Sequence, residues 1–414
     1  MNQFTLLFLF FLALATGIEL WLAWRHIRHV RSHRKTVPDT FSEKISLQAH
    51  QKAADYTVSK TSFGLYEKLF GVAILLIWTL GGGLQWLDTF WRQQAWGDVL
   101  GGAAFILSVF LITGLLSLPA SLYETFVIEQ RYGFNKTTLK LFITDLVKQT
   151  VLILAIGAPL LMLALWLMGK MGTYWWLYLW VVWIGFSLFM VWAYPTLIAP
   201  LFNKFKPLDN DSLLQRINAL LNRTGFKSNG VFIMDGSKRS AHGNAYFTGF
   251  GKSKRIVFFD TLLKNLSDKE VEAVLAHELG HFKHHHILKR ILVTFILSLL
   301  SLAVLGWLVS QPWFYSGLGM SQASNHAALM LFILVGPVFT FLLSPVFSWS
   351  SRKHEFEADN FAVKQTDARE LVNALVKLYS ENANTLTPDP LHSVFYDSHP
   401  PAPVRVSRLL AHSS

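Results

Sequence analysis

Seven long apolar stretches constrain the fold of this chain more than any other feature. Each is close to or above about 20 residues, the length that an α-helix needs to cross the hydrocarbon core of a bilayer. The chain has 414 residues, of which 52% are hydrophobic and only 15% charged, a composition too apolar for a water-soluble protein of this size. We therefore predict a multi-pass membrane protein with spans at residues 4–24, 69–91, 99–123, 146–168, 174–195, 287–309 and 327–349.

The positive charge of the chain, +11, indicates membrane topology rather than a nucleic-acid partner, because the basic residues are spread over loops between the apolar runs. No Lys or Arg precedes the first run, whereas five follow it between Arg25 and Lys35. That polarity is wrong for a signal peptide and predicts a retained helix with its N-terminus outside. Compact loops favour a bacterial cytoplasmic (inner) membrane. The loops predicted to be cytoplasmic hold most of the Lys and Arg; they are residues 25–68, 124–145, 197–286 and 350–414.

Only residues 197–286 and 350–414 are polar enough to fold in water. In the first of these segments, apolar spacing predicts a helix at 211–222, and β-rich pieces follow at 230–234 and 255–259. A stretch rich in glycine and aromatic residues, 244–250, lies between the two β-rich pieces. Ser267 and Glu270 then form the Ser-x-x-Glu pattern of a capping box, which predicts a helix that begins near Asp268.

That helix carries His277, Glu278 and His281. Histidines four residues apart lie on one helix face and can bind one zinc ion, while Glu278 projects beside the metal as a general base. The chain has no cysteine, so any metal must be held by nitrogen and oxygen atoms. The alternative is a pair of helix histidines without metal. The helical context, the third-ligand candidate and Gly280, which costs about 1 kcal/mol of helix propensity and so suggests close packing, favour the zinc site.

The third ligand is predicted in residues 351–359, which continue from the seventh span. Glu355 and Asp359 are four residues apart and share a helix face, whereas Glu357 points away. We expect Glu355 to bind the metal and Asp359 to orient a zinc-bound imidazole. The rival interpretation is a solvated helix whose Arg352 and Lys353 pair with the acids.

Three consecutive histidines, His284, His285 and His286, raise the question of a second metal site. They lie where the zinc helix meets the membrane face. We favour the interpretation that they are solvated.

Together these motifs resemble the type I CAAX prenyl protease family of integral membrane zinc endopeptidases. The resemblance rests on residues 277–281, 351–359 and 244–250, on 194–205 after the fifth span, and on the closing motif at 398–401 followed by Arg405. It covers nearly the whole chain. The smaller heat-shock-type membrane peptidases share the zinc motifs but have fewer spans and lack the long N-terminal part.

The resemblance implies an all-α polytopic fold in which seven helices form a barrel around a wet chamber, capped by a mainly α zinc domain with a small β-sheet. It assigns one Zn²⁺ per chain, with Glu355 as ligand and Asp359 as its second-shell partner. It places Asn244, Ala245, Tyr246 and Phe247 on an edge strand that pairs with the substrate backbone, and it gives His399 and Arg405 contacts to the substrate or the developing oxyanion. The expected segments are 1–196 (five spans), 197–286 (zinc helix), 287–349 (two spans) and 350–414 (third ligand and substrate motif).

The predicted function is hydrolysis of peptide bonds by a membrane zinc metalloendopeptidase, with Glu278 moving the proton. The expected substrate is a peptide or protein, either a prenylated CAAX C-terminus or another membrane protein. Two alternatives stay open: a membrane-protein quality-control protease of general specificity, and a non-proteolytic channel or transporter. The channel would require ionisable residues inside several spans.

Overall fold

The computed structural model describes residues 2–248 and 254–411, so Gly249 and Phe250 of the glycine- and aromatic-rich stretch lie outside the described residues. The described chain is mainly helical, with one small sheet. The helices are α1 (Gln3–His33), α2 (Leu47–Trp78), α3 (Gly83–Gln93), α4 (Gly97–Tyr123), α5 (Leu139–Lys170), α6 (Trp175–Ala193), α7 (Ala199–Phe202), α8 (Asp211–Thr224), α9 (Asp260–Asn265), α10 (Asp268–Lys283), α11 (His286–Leu308), α12 (Pro312–Gly317), α13 (Asn325–Thr340), α14 (Ser344–Gln365), α15 (Ala368–Glu381), α16 (Pro390–Tyr396) and α17 (Ala402–Leu410).

Within residues 2–248 and 254–411, seven helical runs are long and apolar enough to cross a membrane, as predicted. Four are the single helices α1, α2, α5 and α11; the others are longer runs built on α4, α6 and α13. The last run, Asn325–Gln365, passes through α13 and a short 3₁₀ turn into α14. One continuous helical run therefore connects the membrane span to the predicted third ligand, Glu355.

The predicted second span is wrong in its bounds. The helix begins at Leu47 and ends at Trp78, and the residues predicted to continue it form the separate helix α3. Three glycines cause the break: Gly82 adopts a φ of 78°, a left-handed conformation that ends a helix and that glycine adopts without strain. On its N-terminal side the helix extends beyond the apolar stretch, through the more polar segment from Leu47 to Lys68.

The membrane helices share one apolar core. On α1, Phe8, Leu12 and Ala15 are buried, while Leu6 and Phe10 are exposed. This spacing places one helical stripe against α13 and leaves an apolar outer face for lipid.

Several ionisable side chains of the membrane helices form pairs. Glu19 of α1 forms an ion pair with Lys68 of α2. Asp88 of α3 lies 2.6 Å from His326 of α13 and 2.7 Å from Arg92. Pairing offsets the cost of placing charge in an apolar medium, so these groups join helices to each other.

A four-stranded sheet, in the order β1-β2-β4-β3, lies beside the zinc helix. Its strands are β1 (Phe205–Pro207), β2 (Val231–Met234), β3 (Ala245–Thr248) and β4 (Arg255–Phe259). Strand β3 is antiparallel to β4 and lies at the edge of the sheet. A second apolar core joins the sheet to α8, α10, α15 and α17.

Helix α10 begins as the sequence predicts. The Ser267 hydroxyl accepts a hydrogen bond from the Glu270 backbone N–H, and the Glu270 carboxylate accepts one of 2.7 Å from the Ser267 N–H. This reciprocal cap fixes the start of the helix and hence the direction of its histidines.

Candidate metal centre

Helix α10 brings two imidazoles to one point. The Nε2 atoms of His277 and His281 are 3.3 Å apart, one helical turn from each other. Glu278 is half-buried beside them, and within the described part of the chain its carboxylate has no hydrogen-bond or ion-pair partner. A free carboxylate next to two converging imidazoles is available to exchange a proton.

Helix α14 supplies the third group. Glu355 is only 5% exposed, and its carboxylate oxygens lie 3.4 Å from His277 Nε2 and 3.3 Å from His281 Nε2. Its Oε2 atom is buried without a hydrogen-bond partner. Arg405 is the neighbouring positive charge, with its Nη1 atom 3.6 Å from the same oxygen. Because no hydrogen bond satisfies this buried oxygen, it is available to bind a metal ion. The three donors lie within 4.8 Å of one another, and two imidazoles plus one carboxylate are a ligand set typical of hydrolytic zinc.

Close packing of α10 on α14 depends on Gly280. A Cβ atom on this residue would lie 2.8 Å from the Ala358 Cα atom and 3.0 Å from the Ala358 carbonyl oxygen. Backbone atoms cannot rotate out of the way as a side chain can. The glycine inside the histidine motif therefore has the packing role that its helix propensity suggested.

Asp359 and Arg405 lie behind His277. The His277 Nδ1 atom is 2.8 Å from Asp359 Oδ1 and donates to it, which leaves Nε2 free for a metal. Arg405 of α17 donates two hydrogen bonds to the same carboxylate, at 2.7 and 2.8 Å, and is buried. Arg405 therefore lies behind the histidine, where its third guanidinium nitrogen, Nη1, is 3.6 Å from Glu355 Oε2. Its contact with substrate stays a prediction.

His399 lies on the exposed side of the site, and β3 packs against α10. The His399 side chain is largely exposed, and its Nε2 lies 3.5 Å from Glu355 Oε1. In β3, Phe247 packs on Phe282 of α10, while Tyr246 faces Phe259 on the other side of the sheet. The Asn244 carbonyl accepts from the Phe259 N–H. The contact between Phe247 and Phe282 places β3 against the last turn of α10.

Two sequence interpretations change here. Arg352 does not pair with the acids of its own helix; it donates to the backbone carbonyls of Ser393 and Asp397. His286 is not solvated: it is 2% exposed and contacts both His281 and Glu357. Nothing in the spacing of the histidine triplet distinguishes this residue from its neighbours.

Comparison with known proteins agrees with this geometry. Residues 26–204 match the family model described as CAAX prenyl protease N-terminal, five membrane helices, and residues 207–413 match that of peptidase family M48. The CAAX prenyl protease 1 homolog of Arabidopsis thaliana is 35% identical, covering 88% of each chain. The chain belongs to the CAAX prenyl protease family of M48 peptidases.

Other members of this family extend the similarity over the whole fold. CAAX prenyl protease 1 of Saccharomyces cerevisiae is 32% identical, with 95% of this chain and 92% of that protein covered. The crystal structure of S. mikatae Ste24p superposes with a TM-score of 0.90 at 30% identity, covering 99% of both chains. Family membership and the apolar helices establish a membrane-embedded zinc metalloendopeptidase. Its described residues contain seven helical runs that could span a membrane.

Proposed function

We propose that His277, His281 and Glu355 hold one zinc ion per chain, and that the protein uses it to cleave peptide bonds in substrates that reach the site from the membrane. The convergence of three donors from α10 and α14, two of them buried, around a carboxylate oxygen that has no hydrogen-bond partner carries this proposal. A zinc ion bound there would lower the pKa of a water molecule and polarise the scissile carbonyl.

Each nearby residue then has a distinct task. Glu278 takes a proton from the attacking water and passes it to the leaving amine. Asp359 holds the Nδ1 proton of His277, and Arg405 holds Asp359 in place, so both are positioning residues. His399 is exposed at the mouth of the site and donates to the substrate carbonyl, where a donor stabilises developing negative charge.

Substrate binding is proposed along β3. An edge strand offers unpaired backbone groups to an extended peptide, so Asn244 and the backbone of Ala245 to Phe247 would hold the substrate with little demand on its side chains. A cavity of about 400 Å³ beside His399, lined by α2 residues such as Tyr56 and Lys60, provides room for the peptide.

The proposed topology places the N-terminus outside and the zinc site on the cytoplasmic side. Basic residues after α1 and in the segments around α8 and α14 support this orientation under the positive-inside rule. The four segments 1–196, 197–286, 287–349 and 350–414 then alternate between membrane and cytoplasm. We place the protein in a bacterial cytoplasmic membrane because its loops are compact.

Zinc affinity should fall as the pH drops below about 9. Burial and Arg405 lower the pKa of His277, but its hydrogen bonds to Asp359 and Glu355 outweigh them and raise it to about 9. The metal-free site therefore holds a proton that zinc must displace, and lower pH favours the proton. Chelator competition across this pH range measures the effect; an affinity independent of pH would contradict a zinc site at His277.

Substrate class is tested by comparing farnesylated and unlipidated versions of one peptide in detergent. Faster cleavage of the farnesylated peptide, abolished by a chelator and restored by zinc, is the expected result for CAAX-type processing. Equal rates would remove prenyl recognition and favour general cleavage of membrane proteins. Cleavage that resists the chelator would contradict the zinc mechanism.

A further inference from the structure

His286 contacts the proposed metal ligand His281 on the side of its ring that points away from the metal position. Helix α10 ends at Lys283, and His285 adopts a φ of 58°, a left-handed conformation that reverses the chain before α11 begins at His286. This turn brings the Nδ1 atom of His286 to 2.9 Å from the Nδ1 atom of His281. A left-handed non-glycine residue is uncommon, and here it sets the position of a buried imidazole.

The other ring nitrogen of His286 is also engaged. Its Nε2 lies 2.8 Å from Glu357 Oε2 on α14. The ring is further fixed by stacking on His354, with ring centroids 4.1 Å apart. Glu357, which points away from the metal as its spacing predicts, thus points towards a residue that touches a metal ligand.

One arrangement of protons satisfies this chain of atoms. His281 turns its Nε2 towards His277 and Glu355, so a metal-binding His281 carries its proton on Nδ1. That N–H donates to His286 Nδ1. His286 then carries its own proton on Nε2 and donates it to the Glu357 carboxylate. Both imidazoles are neutral, and every ring nitrogen has a partner.

We propose that His286, held by Glu357, is a positioning residue that fixes the tautomer and ring orientation of His281 for zinc. This inference rests on the proposed zinc site. His277 is held by a direct hydrogen bond to Asp359. His281 is held by a hydrogen bond to His286, which in turn bonds to Glu357. Helix α14 therefore supplies one ligand and the supports of both histidines. Since His286 is the first residue of α11, a membrane span is tied to the metal site.

The test measures zinc affinity of the full chain in detergent by chelator competition. His286→Leu removes both hydrogen bonds and should weaken zinc binding about 10- to 100-fold, the usual effect of losing such a support. His286→Gln retains an acceptor and a donor and should restore most of the affinity. Glu357→Leu removes only the hydrogen bond between His286 and Glu357 and should weaken zinc binding to a smaller extent. His285→Asn, at an exposed position where asparagine tolerates the left-handed turn, is the matched control.

A second readout separates positioning from a purely structural role. With cobalt(II) in place of zinc, the visible spectrum should shift in His286→Leu and remain close to wild type in His286→Gln, while thermal stability measured without metal stays similar in both variants. Unchanged zinc affinity and spectrum in folded His286→Leu and in Glu357→Leu would overturn the proposal. Two metal ions per chain in wild type and one in His286→Leu would also overturn it, since His286 would then be a ligand itself.

Glu355→Gln distinguishes this failure from failure of the zinc site. If Glu355→Gln loses zinc and His286→Leu does not, only the positioning role is wrong. If Glu355→Gln binds zinc as tightly as wild type, the proposed zinc site itself is wrong.

Discussion

Glu278→Gln is expected to lower peptide cleavage by at least about 10²- to 10⁴-fold, the usual contribution of a positioned acid–base group. Glutamine has nearly the same shape as glutamate but cannot accept the proton of the attacking water. Glu278 is not among the three converging donors, so metal content should stay near one zinc per chain. Cleavage of one peptide and zinc content of the same purified sample are the two measurements.

The matched control for this variant is Glu355→Gln. Both changes remove one carboxylate charge beside the histidines, but Glu355 is one of the three converging groups and Glu278 is not. We expect Glu355→Gln to lose zinc together with activity. Peptide cleavage near the wild-type rate in Glu278→Gln would reject Glu278 as the base. If cells that carry Glu278→Gln instead of wild type grow equally well although the variant does not cleave peptide, the protein has a non-proteolytic role.

Gly280→Ala should destabilise the protein and weaken zinc binding, although alanine is the better helix former. The helix propensity gain is about 1 kcal/mol. The new Cβ would lie 2.8 Å from the Ala358 Cα atom, so α14 must move away from α10. Overpacking of this kind typically costs about 1–3 kcal/mol. The displacement carries Glu355 away from the histidines, so zinc affinity should fall with stability.

Gly64→Ala provides the comparison. Gly64 lies inside helix α2 with nothing within 4 Å of an added Cβ atom. This substitution should be neutral or slightly stabilising and should leave zinc affinity unchanged. Thermal unfolding and chelator competition of both variants test the argument. Equal behaviour of Gly280→Ala and Gly64→Ala would show that the approach of α10 to α14 does not depend on this glycine.

Local patterns in the sequence predicted much of the fold and of the side-chain positions in the candidate metal centre. Apolar length predicted the number of spans, because the bilayer sets that length. The Ser267–Glu270 cap and the four-residue spacing of His277 and His281 depend only on helix geometry. The same periodicity placed Glu355 and Asp359 on one face of α14. The second span failed because hydrophobicity did not show that Gly82 would end the helix.

Contacts that depend on tertiary packing could not be read from the sequence. Arg405 reaches Asp359 only because α17 packs against α14 and α15, and no spacing in the sequence indicates that ion pair. The contact between His286 and His281 could not be predicted either, since it depends on the left-handed turn at His285. Both residues are buried, whereas sequence alone suggested exposure or contact with substrate.

The proposed metal centre combines residues from two segments that membrane spans separate along the chain. Two spans, α11 and the α13 part of Asn325–Gln365, separate the histidine helix from Glu355 along the chain. The first span begins beside the site, because α11 starts at His286. The second span leads towards it, because α14 continues from α13 through the short turn Phe341–Leu343. The packing of these spans therefore sets the distance between the histidines and the carboxylate.

Anomalous scattering at the zinc absorption edge, from crystals of the detergent-purified protein, tests this account most directly. The account predicts one strong peak per chain, in contact with the Nε2 atoms of His277 and His281 and with the carboxylate of Glu355. A peak bound instead by His286, His354 and Glu357, the other group of potential ligands in the described residues, or no peak in a catalytically active sample, would contradict it.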